Sequence, residues 1–281
     1  MSGCPLLFKI EHMDIQMKNK KYTFDDITIE TIIEGSGELL VLLPGGGFDV
    51  SYLHKLSQLI SVGGFKTMAV NPRGISGSIG NLERLTMHDL ANDIALVINE
   101  QDSIPVHIVG HAFGNRIARC LASDHPSLVK SVILLAAGGL HPPDSETLVA
   151  FSKLINPNVS EDEKIDAYHF SLFSPKTSKD FASIAWKEAE QWPEAAKAQR
   201  IANQATQEEE WWEAGKVPMF VIQGLDDRVA PVENGRDLKK NLGDRVHLFE
   251  IPEAGHMMVL EKPKAVADSV IGYLKDFKFK Q

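Results

Sequence analysis

The chain is short of cysteine, of basic charge and of long apolar runs, and each shortage excludes a class of protein. Its 281 residues hold two cysteines, Cys4 and Cys120, too few for a disulfide framework. That usage fits a reducing compartment, and the expected location is cytoplasmic. With 29 Lys and Arg against 38 Asp and Glu, the formal net charge is -9, so nothing draws the chain toward nucleic acid or an anionic membrane. No apolar run approaches the roughly 20 residues that span a bilayer. The start, Met1 to Ile10, lacks the basic end and long apolar region of a signal peptide. No helical stretch carries a His-x-x-x-His pair, so no metal is expected. The glycines at 45–47 are not followed by Gly-Lys-Ser/Thr, and Gly-x-Gly-x-x-Gly fails at Val50, so no phosphate-bearing cofactor is expected either. The remaining partner is a small-molecule substrate.

What the chain does have is 43% hydrophobic residues, enough for a large single core. Residues 8 to 34 read as an antiparallel lead-in. Apolar strands follow near 38–44, 66–71, 105–110, 130–136, 217–223 and 245–251, with helical patterning between them, clearest from Thr86 to Ile98. Such alternation predicts an α/β architecture, a mostly parallel doubly wound sheet with its site at the carboxyl ends of the strands. About 77 residues separate the strand ending near Gly139 from the one beginning at Val217, far beyond an ordinary connection. The division expected is a core of residues 1–139 and 216–281 with a helical cap of 140–215. All four tryptophans, Trp186, Trp192, Trp211 and Trp212, fall in the cap segment. They serve either as pocket lining or as the cap's own core, and Trp186, Trp211 and Trp212 are taken as candidate substrate contacts.

Four segments carry the chemistry. Val109-Gly110-His111-Ala112-Phe113-Gly114 joins a strand to a helix that begins near Asn115, and its glycines permit a sharp turn. Val41-Leu-Leu-Pro44-Gly45-Gly46-Gly47-Phe48 runs an apolar strand into a loop whose N–H groups can face a bound atom. Val217 to Pro231 is a strand ending in Gly224-Leu-Asp226-Asp227-Arg-Val-Ala-Pro231. Val246 to Met258 is a strand followed by Gly255-His256-Met257, with a helix from Glu261 to Leu274 behind it.

Taken in chain order the four segments, with Asn71-Pro-Arg-Gly-Ile-Ser-Gly-Ser78, resemble the α/β-hydrolase fold superfamily over nearly the whole chain. The resemblance implies a capped serine-hydrolase fold in which the Gly-x-Ser-x-Gly nucleophile position is Ala112. It further implies Asp227 as the triad acid, with Asp226 a turn residue, and His256 as the base. The N–H groups of Gly46 and Phe113 would form the oxyanion hole, and Gly47, Phe48 and Met257 would border the substrate. His111 is read as a packing and orientation residue. Pro44, Asn71, Ser76 and Ala112 depart from the family pattern, and only Ala112 removes chemistry.

Three functions remain compatible with Ala112. The preferred one is a hydrolase of a small, mostly apolar ester, lactone or activated C–C bond whose nucleophile has been replaced, leaving an inactive form. The second is a naturally serine-free lyase, isomerase or cyclase that uses His256 as a general base. The third is a non-catalytic small-molecule binder, since fold alone does not fix function.

Overall fold

The structure, a computed structural model, describes residues 17–279. Part of the expected lead-in, residues 8–16, and Cys4 lie outside them. Eight strands form one sheet: β1 (Lys18–Phe24), β2 (Ile27–Gly35), β3 (Glu38–Leu43), β4 (Phe65–Val70), β5 (Val106–His111), β6 (Val129–Leu135), β7 (Met219–Gly224) and β8 (Val246–Ile251). Their spatial order is β1-β2-β4-β3-β5-β6-β7-β8. The first two strands pair antiparallel to each other, β2 pairs antiparallel to β4, and all later pairings are parallel. The doubly wound sheet read from the alternation of strands and helices is therefore present.

Helices α1 (His54–Val62), α2 (Met87–Asn99) and α3 (Phe113–Asp124) connect the early strands. An insertion between β6 and β7 holds α4 (Ser145–Leu154), α5 (Glu161–Leu172), α6 (Lys179–Glu188), α7 (Pro193–Ala205) and α8 (Glu208–Trp211). The chain then closes with α9 (Glu233–Leu242), α10 (Met258–Glu261) and α11 (Pro263–Phe279). Period-two geometry sorts β3 cleanly. Leu39, Val41 and Leu43 join the core beneath α2 and α3, while Leu40 and Leu42 join the one beneath α1 and α11. Burial on both faces explains why the central strands read as unbroken apolar runs.

The junction of β5 with α3 fixes where the site lies. A Cβ on Gly110 would stand 2.4 Å from the Gly114 carbonyl oxygen, and one on Gly114 would stand 2.4 Å from that of Leu43. Only glycine lets strand, turn and helix approach this closely. Between them Ala112 takes φ 49° and ψ −112°, a conformation that L-residues rarely occupy.

Two tryptophans do not do what the sequence suggested. Trp211 and Trp212 are buried against α3 in the core beneath α2, away from the residues that enclose the cavity described below. The cause is the buried Arg119 guanidinium, 4.5 Å from the Trp211 ring and 4.7 Å from the Trp212 ring. Arg119 Nη2 also donates to Asn115 Oδ1 and to the Gly138 carbonyl, each at 2.8 Å. Trp212 leaves no room for a side chain at Gly139. Thus the outgoing chain at Gly138-Gly139 and the returning chain at Trp211-Trp212 are both fastened to the nucleophile helix.

Two glycine substitutions should separate these constraints from general tolerance. Gly114→Ala should cost about 3 kcal/mol or more, because its new methyl meets backbone rather than a yielding side chain. Gly272→Ala, in α11 with open space around it, should stabilise by up to about 1 kcal/mol. Chemical denaturation of the two variants reads both effects.

Candidate active site

Asp227 follows β7 and His256 follows β8, and the two side chains meet. His256 Nδ1 lies 2.9 Å from Asp227 Oδ2 and 3.2 Å from Oδ1. Asp227 is held in turn by the N–H groups of Val229 and Ala230, each 2.8 Å from Oδ1. Asp226 faces elsewhere and accepts from Ser174 Oγ at 2.5 Å. Because the carboxylate can only accept, Nδ1 carries the proton and Nε2 is left with a lone pair. His256, Ala112, Gly46, Gly47, Phe48, Trp186 and Met257 all line one cavity of about 530 Å³.

The glycine loop presents its N–H groups unevenly. Gly45 donates to Tyr52 Oη at 2.6 Å, and Gly47 donates to Gln199 Oε1 at 2.9 Å. Gly46 and Phe113 donate to no protein acceptor among the described residues, and the ideal Cβ of Gly46 would lie 3.4 Å from that of Phe113. Both residues therefore stand side by side with their N–H groups unengaged by protein. The Gly47 carbonyl accepts from Trp192 N–H at 2.9 Å, so both backbone groups of Gly47 are committed to the insertion rather than to a ligand.

A buried hydrogen-bond chain ties these loops together. His111 Nε2 lies 2.9 Å from the His256 carbonyl, which can only accept, so Nε2 carries the proton. Nδ1 then accepts from the Tyr52 hydroxyl at 2.8 Å, and Tyr52 accepts from Gly45. Burial and the neighbouring His256 push the His111 pKa down to about 3, which keeps this imidazole neutral. Burial likewise pushes the Tyr52 phenol up, so it stays a donor. Glu261 completes the support of the histidine loop, accepting from Gly255 N–H at 2.7 Å and from Ser174 N–H at 2.8 Å.

The sequence profile of the alpha/beta hydrolase fold matches residues 38–263. The chain belongs to that family. Among its relatives, BpoC of Mycobacterium tuberculosis H37Rv, whose name carries a provisional non-heme bromoperoxidase assignment, is 28% identical over 87% of this chain and 96% of its own. Its crystal structure covers 96% of this chain and 99% of that one at a TM-score of 0.73. A 2-hydroxy-6-oxo-6-phenylhexa-2,4-dienoate hydrolase of Burkholderia cepacia is 24% identical over 85% of this chain and 88% of its own. The serine hydrolase CarC of carbazole degradation shares the fold at a TM-score of 0.73 and 19% identity, covering 92% of this chain and 99% of that one.

One departure from the family pattern explains itself in this alpha/beta hydrolase. Asn71 Oδ1 accepts from Val50 N–H at 2.9 Å while its Nδ2 donates to Glu30 Oε2 at 2.9 Å. An aspartate there would confront the Glu30 carboxylate. Residues outside the quoted motifs also contribute. Tyr52, Tyr168, Trp192, Phe151 and Leu154 line the cavity, although no motif marks them. Lys197 and Arg200, exposed on α7, stand at its rim with Glu194, so the wall is more charged than the catalytic loops alone implied. A second cavity of about 740 Å³ shares Phe48, Tyr52, Tyr168 and Met257 with the first. Of these two, His256 opens only onto the smaller one.

The buried imidazole yields a pH prediction. Below pH 6.5 an unfolded His111 takes a proton that the folded chain refuses down to about pH 3, so its contribution is present above 6.5 and is lost as pH falls through that window. The slope is at most about 1.4 kcal/mol per pH unit. Denaturation of the parent and of His111→Gln should therefore show a stability gap that narrows on acidification. A constant gap would refute the neutral buried imidazole.

Removing aromatic rings should distinguish lining from core. Trp211→Ala should lose about 3–5 kcal/mol of stability with ligand affinity retained in the folded fraction. Trp186→Ala, half-buried at the cavity wall, should weaken ligand binding with a smaller change in melting temperature.

Proposed function

We propose that this alpha/beta hydrolase is built to bind and polarise the carbonyl of a small, mostly apolar ester, lactone or activated C–C substrate, with the position of the nucleophile held by Ala112. The observation that carries the reading is the turn itself. Ala112 retains the unfavourable backbone of a nucleophile elbow although it has no hydroxyl to present. Around it stand the two unengaged N–H groups of Gly46 and Phe113 and the paired His256 and Asp227. The hydrolase names among the relatives support the same class of chemistry.

In the serine form of this site, His256 Nε2 takes the hydroxyl proton at position 112 as the oxygen attacks the carbonyl carbon. Asp227 holds the imidazole and stabilises its cation, and the Gly46 and Phe113 N–H groups receive the oxyanion. His256 then returns the proton to the leaving group, and water activated by the same imidazole releases the acyl group. With Ala112 only binding and polarisation survive. Loss of a triad nucleophile costs about a million-fold in turnover in a serine protease, and a similar loss applies here. The residues proposed as the cap, 140–215, enclose the ligand over the strand ends. The paired but nucleophile-free His256 also serves a second reading, in which its Nε2 removes a proton from the substrate directly.

A single substitution separates the readings. Ala112→Ser should be labelled at residue 112 by a fluorophosphonate and should cleave short p-nitrophenyl esters, and His256→Ala in that background should abolish both. A folded Ala112→Ser protein that resists labelling, alongside turnover by the Ala112 chain that vanishes in His256→Ala, would establish the direct-base reading instead.

A further inference from the structure

On the far side of α3 from the elbow, three side chains of different chemistry converge where no motif predicted a cluster. Cys120 Sγ lies 3.5 Å from His88 Nδ1 and 3.5 Å from Asp124 Oδ2, and those two atoms are 2.8 Å apart. The residues come from the first turn of α2 and from adjacent turns of α3, so their spacing in sequence, 88, 120 and 124, matches no familiar ligand pattern.

We propose that His88, Cys120 and Asp124 form a zinc site with three protein ligands and a fourth position open to water. Zinc bonds of about 2.3 Å to sulfur and about 2.0–2.1 Å to nitrogen and oxygen place tetrahedral ligand atoms about 3.3–3.6 Å apart. Both separations from Cys120 Sγ already have that value. The remaining 2.8 Å contact is a shared proton, and zinc replaces it with a small opening of the His88–Asp124 pair. The set of one thiolate, one imidazole and one carboxylate suits a borderline-soft cation better than magnesium or calcium.

A second feature lies outside the three ligands. His88 Nε2 is 3.0 Å from Glu210 Oε2, so the imidazole nitrogen facing away from the cluster is bound to a carboxylate. Metal-ligating histidines are usually oriented in this way. The His88 side chain is 40% exposed and that of Asp124 25%, which leaves a path for the ion, while Cys120 is buried. Zinc binds sulfur as the thiolate, so the Cys120 thiol proton leaves as the ion enters. Since Glu210 belongs to α8, the ion would also fasten the returning end of the insertion, next to Trp211, to α2 and α3.

The test uses the full chain stripped with a chelator and titrated with cobalt(II) and then zinc, and it is independent of residue 112. One equivalent of cobalt should produce a thiolate-to-cobalt charge-transfer band in the near ultraviolet that zinc displaces, with protons released on binding. Cys120→Ser should abolish the band, and His88→Ala should lower zinc affinity at least ~100-fold, whereas Glu210→Gln should lower it about 10–100-fold. Cys4→Ser should change nothing. Where a variant at 88 or 120 melts before titration, Asp124→Asn, on the exposed side of the cluster, supplies the same comparison. Absence of the band in the parent chain, a band that disappears with Cys4, or zinc affinity unchanged in His88→Ala or Asp124→Asn would each overturn the site.

Discussion

The strained turn at Ala112 is the constraint on which the rest of the site depends. A non-glycine residue at φ 49° and ψ −112° costs roughly 1–3 kcal/mol, and the fold must supply that from elsewhere. It does so by leaving the chain no alternative course. Gly110 and Gly114 lie against backbone on either side, Ala112 N–H is tied to the Leu135 carbonyl at 3.0 Å, and Asn115 Nδ2 reaches the Ala136 carbonyl at 3.1 Å. Arg119 grips Asn115 from the next turn of the helix. The outcome is a side-chain position aimed into the cavity with the Phe113 N–H beside it, two features that an unstrained strand-to-helix connection would not deliver together.

Preorganisation then spreads from the turn through polar contacts rather than through packing alone. Gly45, Tyr52, His111 and the carbonyl of His256 form one directional hydrogen-bond series, so the glycine loop, β5 and the histidine loop share a single register. A protonated His111 would reverse its half of the series, which is why burial that suppresses protonation is part of the design. The insertion joins in from above. Gln199 on α7 holds Gly47, and Glu261 holds Gly255 together with Ser174 of the segment after α5. A shift of the insertion would therefore be transmitted to the loops that flank Gly46 and His256, the groups that must face the developing charge.

Much of this was legible in the sequence, because the elements that carry it obey local rules. Strand periods and the glycines of the two turns each encode their own geometry, and the six strands β3 to β8 begin and end within about two residues of the sequence reading. The preference for Asp227 over Asp226 came instead from the family resemblance; in the structure Asp227 faces His256 and Asp226 faces Ser174. Trp211 and Trp212 were not readable. Their destination depends on a guanidinium some 90 residues earlier in the chain, and a burial pattern alone cannot tell a ring that lines a cavity from one that covers a buried cation. Tyr52 was silent too, because its role exists only once two other loops are in place.

The absent hydroxyl at position 112 sharpens the physical logic of the site. Alanine offers no hydroxyl donor to the His256 Nε2 lone pair and no nucleophilic oxygen to the cavity, yet the neighbouring polar groups remain in place. Gly46 and Phe113 still offer two N–H donors with no protein acceptor, and desolvated donors of that kind are costly unless a ligand or water fills them. The unused lone pair of His256 faces the same space. The cavity consequently holds two N–H donors and one imidazole lone pair that a guest or water must satisfy. On the proposed reading, what distinguishes one guest from another is the fit of its oxygen to the two donors and of its body to Phe48, Trp186 and Met257, rather than the rate at which a bond is broken.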